Sequence, residues 1–190
     1  MVVFIIGLTL FLGVHSTAIV VPAWRDARAA RSPGAFKGIY SALSLAGFVL
    51  LVYGYGLARQ SSLVVWTPPT ATRHIALLLM LPVFPLLFAT YLPGRIKAAV
   101  KHPMLLAVKL WALAHLLANG TLVDTILFGA FLAWVVLDRV SLKRRATPNP
   151  RAAASAWAIN DLVALVGGLA VYLAFVFWAH RWLIGVSPIG

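Results

Sequence analysis

The sequence predicts an all-α, polytopic membrane protein with six transmembrane helices and both termini on the non-cytoplasmic side. Three observations carry that expectation. Of 190 residues, 62% are hydrophobic and 11% charged, with a mean hydropathy of +0.95, far from soluble averages. The apolar residues gather into runs of roughly 17 to 23, the length at which a helix crosses about 30 Å of hydrocarbon. The basic residues sit between those runs, and unevenly. Alternate connections hold Arg25, Arg28, Arg31 and Lys37, then Arg95, Lys97 and Lys101, then Arg139, Lys143, Arg144, Arg145 and Arg151; the opposite side holds Arg59, Arg73 and Arg181. Cytoplasmic loops carry such an excess, so both termini face away from the cytoplasm.

The formal charge of +12, from 16 Lys and Arg against 4 acidic residues, would ordinarily raise nucleic acid as a partner. Here the basic residues lie in short connections that meet anionic lipid headgroups, and no separate basic domain exists, so the partner is the lipid bilayer and not nucleic acid. No cysteine is present. That excludes disulfides, thiolate metal sites and iron–sulfur clusters of the usual kind, and leaves imidazole as the main candidate ligand for any metal or cofactor iron.

Val2 to Ala23 is the first run. Basic residues come after it and none precedes it, unlike a secretory signal, so it reads as a retained helix. Gly7, Phe11 and His15 recur four apart, which places a histidine on a stripe with a small residue that permits close helix contact. Arg25 to Lys37 reads as a basic connection broken at Ser32-Pro33-Gly34. Gly38 to Ala58 is the second run, with the mildly polar stripe Tyr40, Ser44, Gly47 and Leu51.

After the loop Arg59 to Arg73 comes the third run, Ile75 to Leu92, with Pro82 and Pro85 inside it. Each proline removes a donor and frees the carbonyl four residues earlier, at Leu78 and Leu81, so a kink is expected and those carbonyls need other partners. Pro103 to Asn119 is the fourth run, and Asn119-Gly120 turns the chain into the fifth, Thr121 to Leu137, closed by Asp138-Arg139. Asp124 falls in its first turn, where the helix dipole favours an acid. The next connection, through Arg151 and including Thr147-Pro148-Asn149-Pro150, reads as a basic loop on an anionic surface. Asn160-Asp161 reads as the N-cap of the sixth run, Leu162 to Ile184. The whole chain, 1–190, makes one transmembrane domain, and no motif of soluble catalysis (GxSxG, HExxH, a phosphate loop) occurs in it.

The chemistry-bearing residues left are histidines placed by depth. By helical rise His15 lies roughly 12 Å, Lys109 about 10 Å and His115 about 18 Å from the cytoplasmic ends of their spans. Ionisable groups inside spans mostly face a bundle interior. On the fourth run Trp111, His115 and Asn119 form one i, i+4 row, with Lys109 and His102 on a neighbouring row. Two imidazoles at similar depth on different helices suit a haem held between bundle helices, with Lys109 placed to pair with a propionate. The plainer alternatives are that His115 bonds across helices, that Lys109 snorkels to the interface, that His74 and His102 sit at span ends, and that His180, beside Arg181 and Trp182, is an interfacial anchor. A small transporter is disfavoured by the lack of an internal repeat.

The segments FLGVHS around His15, WRDAR, KGIYSALSLAGFVLLVYGY, KHPMLLAVKLWALAHLLANG and FGAFLAWVVLDRVSLKRR resemble the NnrU family of multispanning membrane proteins over nearly the whole chain. The resemblance implies an inner-membrane protein linked to nitrite and nitric oxide reductases in denitrification. A related branch comprises haem-dependent 15-cis-zeta-carotene isomerases. It implies haem b with His15 and His115 as iron ligands; Lys109, Trp111 and Asn119 are the candidate cofactor-binding residues that helical spacing adds. The partner is then a reductase system or an apolar polyene. The isomerases also use a cysteine in redox switching, which this chain lacks. A non-catalytic accessory role in reductase expression or assembly is the alternative.

Overall fold

A computed structural model of the chain describes residues 1–145 and 158–189. These residues are helical almost throughout and fall into two compact units, Met1–Trp66 with Thr121–Arg144, and Thr67–Gly120 with Arg145–Gly190. Five helical stretches are long and apolar enough to cross a membrane: Val2–Val20, Pro33–Ser61, Thr70–Tyr91, Leu122–Arg145 and Ile159–Ile184. The fourth expected span, Pro103 to Asn119, is apolar, but its helix, Pro103–Ala118, has 16 residues.

The first unit contains α1 (Val2–Val20), α2 (Pro22–Arg31), α3 (Pro33–Ala58) and α8 (Leu122–Arg145). The basic connection is therefore not a loop. Its WRDARAAR segment consists largely of good helix formers, and Pro22 and Pro33 each begin a helix, where the missing N–H would have had no partner. Helices α1 and α3 meet backbone to backbone, as the small-residue stripe predicts. A Cβ on Gly47 would lie 2.7 Å from the Phe11 amide nitrogen, and Cβ atoms on Gly7 and Gly54 would strike the backbones of Leu51 and Phe4. Helix α8 does not end at Asp138-Arg139 but runs on to Arg145, because neither residue breaks a helix and the next proline is Pro148. That proline, its neighbours and Arg151 lie outside the described residues.

The start of α8 is tied down on all sides. Leu63 and Ser62, in the extended stretch after a 3₁₀ turn at Arg59–Ser61, accept the amides of Leu122 (2.8 Å) and Val123 (3.1 Å). Val64 pairs with Thr121 as an isolated bridge. Thr121 Oγ1 accepts the Asp124 amide (3.3 Å) and donates to the Asp124 carboxylate (2.7 Å), a capping exchange that satisfies otherwise orphaned groups. The Tyr55 hydroxyl donates to the same carboxylate at 2.6 Å. Asp124 is the one charged side chain found buried among the described residues, at 7% exposure, so it serves as a crosslink between α3 and α8 as well as a dipole partner.

The second unit contains α4 (Thr70–Met80), α5 (Val83–Tyr91), α6 (Arg95–Val100), α7 (Pro103–Ala118), α9 (Ala158–Ala174), a π-helical turn (Phe175–Ala179) and α10 (His180–Ile184). The third expected span breaks at Leu81-Pro82, between α4 and α5. Pro85 falls in the first turn of α5, where its lost donor has no helical partner in any case. The break leaves the Leu77 carbonyl accepting both the Leu81 amide (3.2 Å) and, across the unit, the Tyr172 hydroxyl of α9 (3.0 Å). Leu77 is not one of the two carbonyls that the prolines free; of those, Leu78 also accepts the Leu81 amide, at 3.3 Å. Gly168 packs on the backbone of Pro85 and Gly167 on the Phe88 ring, while Val83, Leu86 and Ala107 form the core beside Leu110 and Trp111.

Asn160 and Asp161 correct the sequence reading in another way. Both lie inside α9, and they cap a different helix. The Asp161 carboxylate accepts the amides of Arg95 (2.9 Å) and Ile96 (3.1 Å) at the start of α6, and Asn160 Nδ2 donates to the Pro93 carbonyl (2.8 Å). A Cβ on Gly94 would meet the Asp161 carboxylate, so a larger residue there would push that side chain aside.

Candidate functional site

His15 belongs to the first unit and His115 to the second. In the first, His15 projects from the part of α1 just beyond the Gly7 contact. Its Nδ1 lies 2.8 Å from the Phe11 carbonyl one turn back. A carbonyl only accepts, so Nδ1 bears the proton and the lone pair of the neutral ring is on Nε2. Aromatic rings surround it: Phe11 at 4.4 Å between centres, Tyr40 edge-on at 5.5 Å and Trp134 of α8 edge-on at 6.0 Å. Beside it runs a groove of about 340 Å³ lined by Phe11, His15, Tyr40, Ser41, Ser44, Leu45 and Phe48.

Two polar atoms in this neighbourhood, Ser44 Oγ and Trp134 Nε1, are buried without a hydrogen-bond partner. Native structures leave few such groups unmet, and each calls for an explanation such as an absent ligand or water. The stripe Tyr40, Ser44, Gly47 is legible in the sequence as mildly polar. Trp134 is not, because nothing in its apolar run marks it apart from its neighbours.

In the second unit the row Trp111, His115, Asn119 is present as expected and forms a ladder. His115 Nδ1 donates to the Trp111 carbonyl (2.8 Å), and Asn119 Nδ2 donates to the His115 carbonyl (2.9 Å). The Trp111 and His115 ring centres are 5.3 Å apart. Lys109 is exposed rather than turned into the unit. His115 also has a companion that sequence reasoning places elsewhere. The His180 ring lies 6.4 Å away with an interplanar angle of 27°, and its Nδ1 donates to the Val186 carbonyl at 2.7 Å. The π turn that places His180 carries no sequence signature; the one available signal is Gly185, five residues on, which ends the helix.

His102 precedes Pro103 at the start of α7 and His74 lies in the second turn of α4, consistent with the ends of their spans. Among the described residues no three His, Asp or Glu side chains gather as a metal cluster.

Five apolar helices of spanning length are consistent with an integral membrane protein. The chain belongs to the NnrU family: the family model described as NnrU protein matches residues 3–188, across both units. Comparison with curated proteins and with solved structures gave no match.

Proposed function

We propose that this NnrU-family chain is a haem b-binding protein of the inner membrane that supports nitrite and nitric oxide respiration, with the imidazoles of His15 and His115 as candidate iron ligands. One observation carries the reading. Both rings donate Nδ1–H to the carbonyl four residues earlier at the same 2.8 Å, which fixes the tautomer and leaves the lone pair on Nε2, as metal-ligating histidines are held by a second hydrogen bond. The donor chemistry fits haem, whose axial positions take imidazole. Bound haem would supply a one-electron couple or a Lewis-acidic iron. The chain's own residues hold the ligands: Phe11 and Trp111 through their carbonyls, Asn119 by bracing the His115 backbone. Lys109 is available to a propionate from its exposed position.

Six crossings, with both termini outside, belong to this proposal. At about 1.5 Å per residue α7 spans roughly 24 Å, short of the hydrocarbon thickness but within what local thinning accommodates. Were α7 not to cross, the basic end of α8 would lie opposite the basic segments at Arg25–Lys37 and Arg95–Lys101, against the charge rule.

A second reading, isomerisation of an apolar polyene, draws on the groove beside His15, whose Phe11, Leu45 and Phe48 offer an apolar wall. Purified protein, expressed with ample haem, should show a Soret band that is lost in a His15→Ala/His115→Ala double variant. Absence of the band, or its persistence unchanged in that variant, sinks the haem reading and leaves a non-catalytic accessory role. Co-expression with a carotenoid pathway and isomer analysis of zeta-carotene separates the isomerase reading from the respiratory one.

A further inference from the structure

We propose that one anionic phospholipid docks on the first unit, with its phosphate on Lys37 and Arg28 at the basic end and one acyl chain along the groove between α1 and α3.

The groove supplies the place for the chain. Its α3 wall includes Ser41, Ser44, Leu45 and Phe48, which share one helical stripe, and the residue one turn before Ser41 on that stripe is Lys37. From Lys37 to Phe48 the stripe runs roughly 16 Å by helical rise. Along it the side chains pass from a cation through two hydroxyls to apolar groups. A phospholipid presents its phosphate, its glycerol esters and its chain in the same order. Leu45 and Phe48 are 63% and 50% exposed, so a chain enters sideways from the bilayer.

Helix α2 supplies the rest of the place for the head. Breaks at Val21 and Ser32 set it off from both neighbouring spans, and at about 100° per residue Trp24, Arg25, Arg28 and Arg31 fall within an arc of roughly 120°. An aromatic ring among cations on a short amphipathic helix is the composition of a helix lying in the headgroup region. Contacts join this arc to the groove. The Arg25 guanidinium lies over the Phe36 ring at 6.0 Å, Phe36 meets Tyr40 at 6.0 Å and Tyr40 meets His15 at 5.5 Å. Phe36 immediately precedes Lys37, so the basic arc of α2 begins at the head of the groove.

Charge decides what kind of head fits. Asp26, the acid within α2, is already paired with Arg25 at 2.8 Å, and that is the ion pair found among the described residues. The Arg28 guanidinium rests on the Trp24 ring at 5.8 Å and keeps its donors for a phosphate, which arginine can meet with two parallel bonds. Helix α8 adds to the field. Its Phe131 and Trp134 lie beside Phe11 and His15, so it runs in the same direction as α1 and brings Arg139, Lys143 and Arg144 to the end where α2 lies. A net positive field of this kind favours a headgroup of net negative charge over a zwitterionic one. A free anion or an acidic peptide would find the cations and have no use for the groove.

Neither head nor chain needs a nitrogen of His15, so the haem reading stands or falls separately, whereas an apolar polyene would compete for the groove. The test is thermal unfolding of the full chain in detergent, titrated with dioleoyl phosphatidylglycerol or dioleoyl phosphatidylcholine. Phosphatidylglycerol should raise the melting temperature in a saturable way, and phosphatidylcholine should do so weakly or not at all. In the exposed double variant Arg28→Gln/Lys37→Gln the half-saturating phosphatidylglycerol concentration should rise roughly 30-fold, about five-fold for each cation removed. Lys143→Gln/Arg144→Gln, which removes as much charge from the tip of α8, should change it far less. Leu45→Trp, which fills the groove and leaves every charge in place, should also weaken the response. Equal shifts from both lipids, equal losses in the two double variants, or an unchanged response in Leu45→Trp overturns the proposal. So does a shift of the same size from inorganic phosphate or poly-glutamate, which would mark a simple anion site or a surface for an acidic protein.

Discussion

The two units hold their histidines by opposite means. In the first, α1 and α3 run uninterrupted and press together through Gly7, Gly47 and Gly54, each against the partner helix's backbone, and His15 simply continues that face into an aromatic ring of neighbours. In the second, the helices are broken at Leu81-Pro82, opened at Phe175–Ala179 and reversed at Gly185, and side chains repair the damage across the unit. Regular helices can present one imidazole by spacing alone. Bringing two together takes irregular backbone, and the partners of that backbone have to be supplied from elsewhere in the chain.

This contrast can be broken experimentally, beginning with its strongest consequence. Gly7→Val places a side chain into the Leu51 backbone, where nothing flexible can give way, so thermal unfolding in detergent should show a loss of more than about 3 kcal/mol or no folded protein. A Gly7→Val variant as stable as wild type would mean that the α1–α3 contact is not close-packed. Next in size, Asp124→Ala leaves the Tyr55 and Thr121 hydroxyls without their shared acceptor and should cost about 3 kcal/mol. Asp124→Asn, which retains an acceptor, should recover part of it in the same melt.

Repairs in the second unit should be individually smaller. Asp161→Ala removes the cap of α6 and should cost about 1 kcal/mol, with faster hydrogen exchange at the Arg95 and Ile96 amides as the specific readout. Tyr172→Phe removes only the bond to the Leu77 carbonyl, and intramembrane bonds of this kind average about 0.6 kcal/mol. A cost above that of Asp124→Ala would reverse the ranking and make the proline break, not the acid crosslink, the dominant polar contact.

Much of this is legible from residues alone, and the remainder is hidden for physical reasons. The glycine and histidine stripe on α1 is visible because periodicity reports which residues share a face. The proline break in the third span is visible because proline lacks a donor wherever it stands. Asp161 reads as the cap of its own helix because an Asn-Asp pair near a helix start has the chemistry of a cap, and sequence does not say whose amides it will meet. Likewise the α2 segment reads as a loop although its Ala and Arg content favours helix; the flanking prolines begin helices as readily as they end them. His180 reads as an anchor because Arg181 and Trp182 mark an interface, while a π turn depends on tertiary packing that leaves no local imprint. At the site, the row Trp111, His115, Asn119 is readable as helical spacing, and the companion ring is not.

The cap on α6 also sets a schedule for biosynthesis. Asp161 meets Arg95 and Ile96 across 66 and 65 positions of sequence, and Tyr172 meets Leu77 across 95. At about 5 to 20 residues per second, a ribosome needs roughly 3 to 13 s to make Asp161 after Ile96. During that interval the Leu77 carbonyl has only its helical partner and the amides at the start of α6 have no cap. A chain stopped after Arg145 remains in that unfinished state, and it should be cleared by membrane proteases faster than the full-length protein in a pulse–chase experiment; equal lifetimes would show that the late helix is dispensable for holding the early ones.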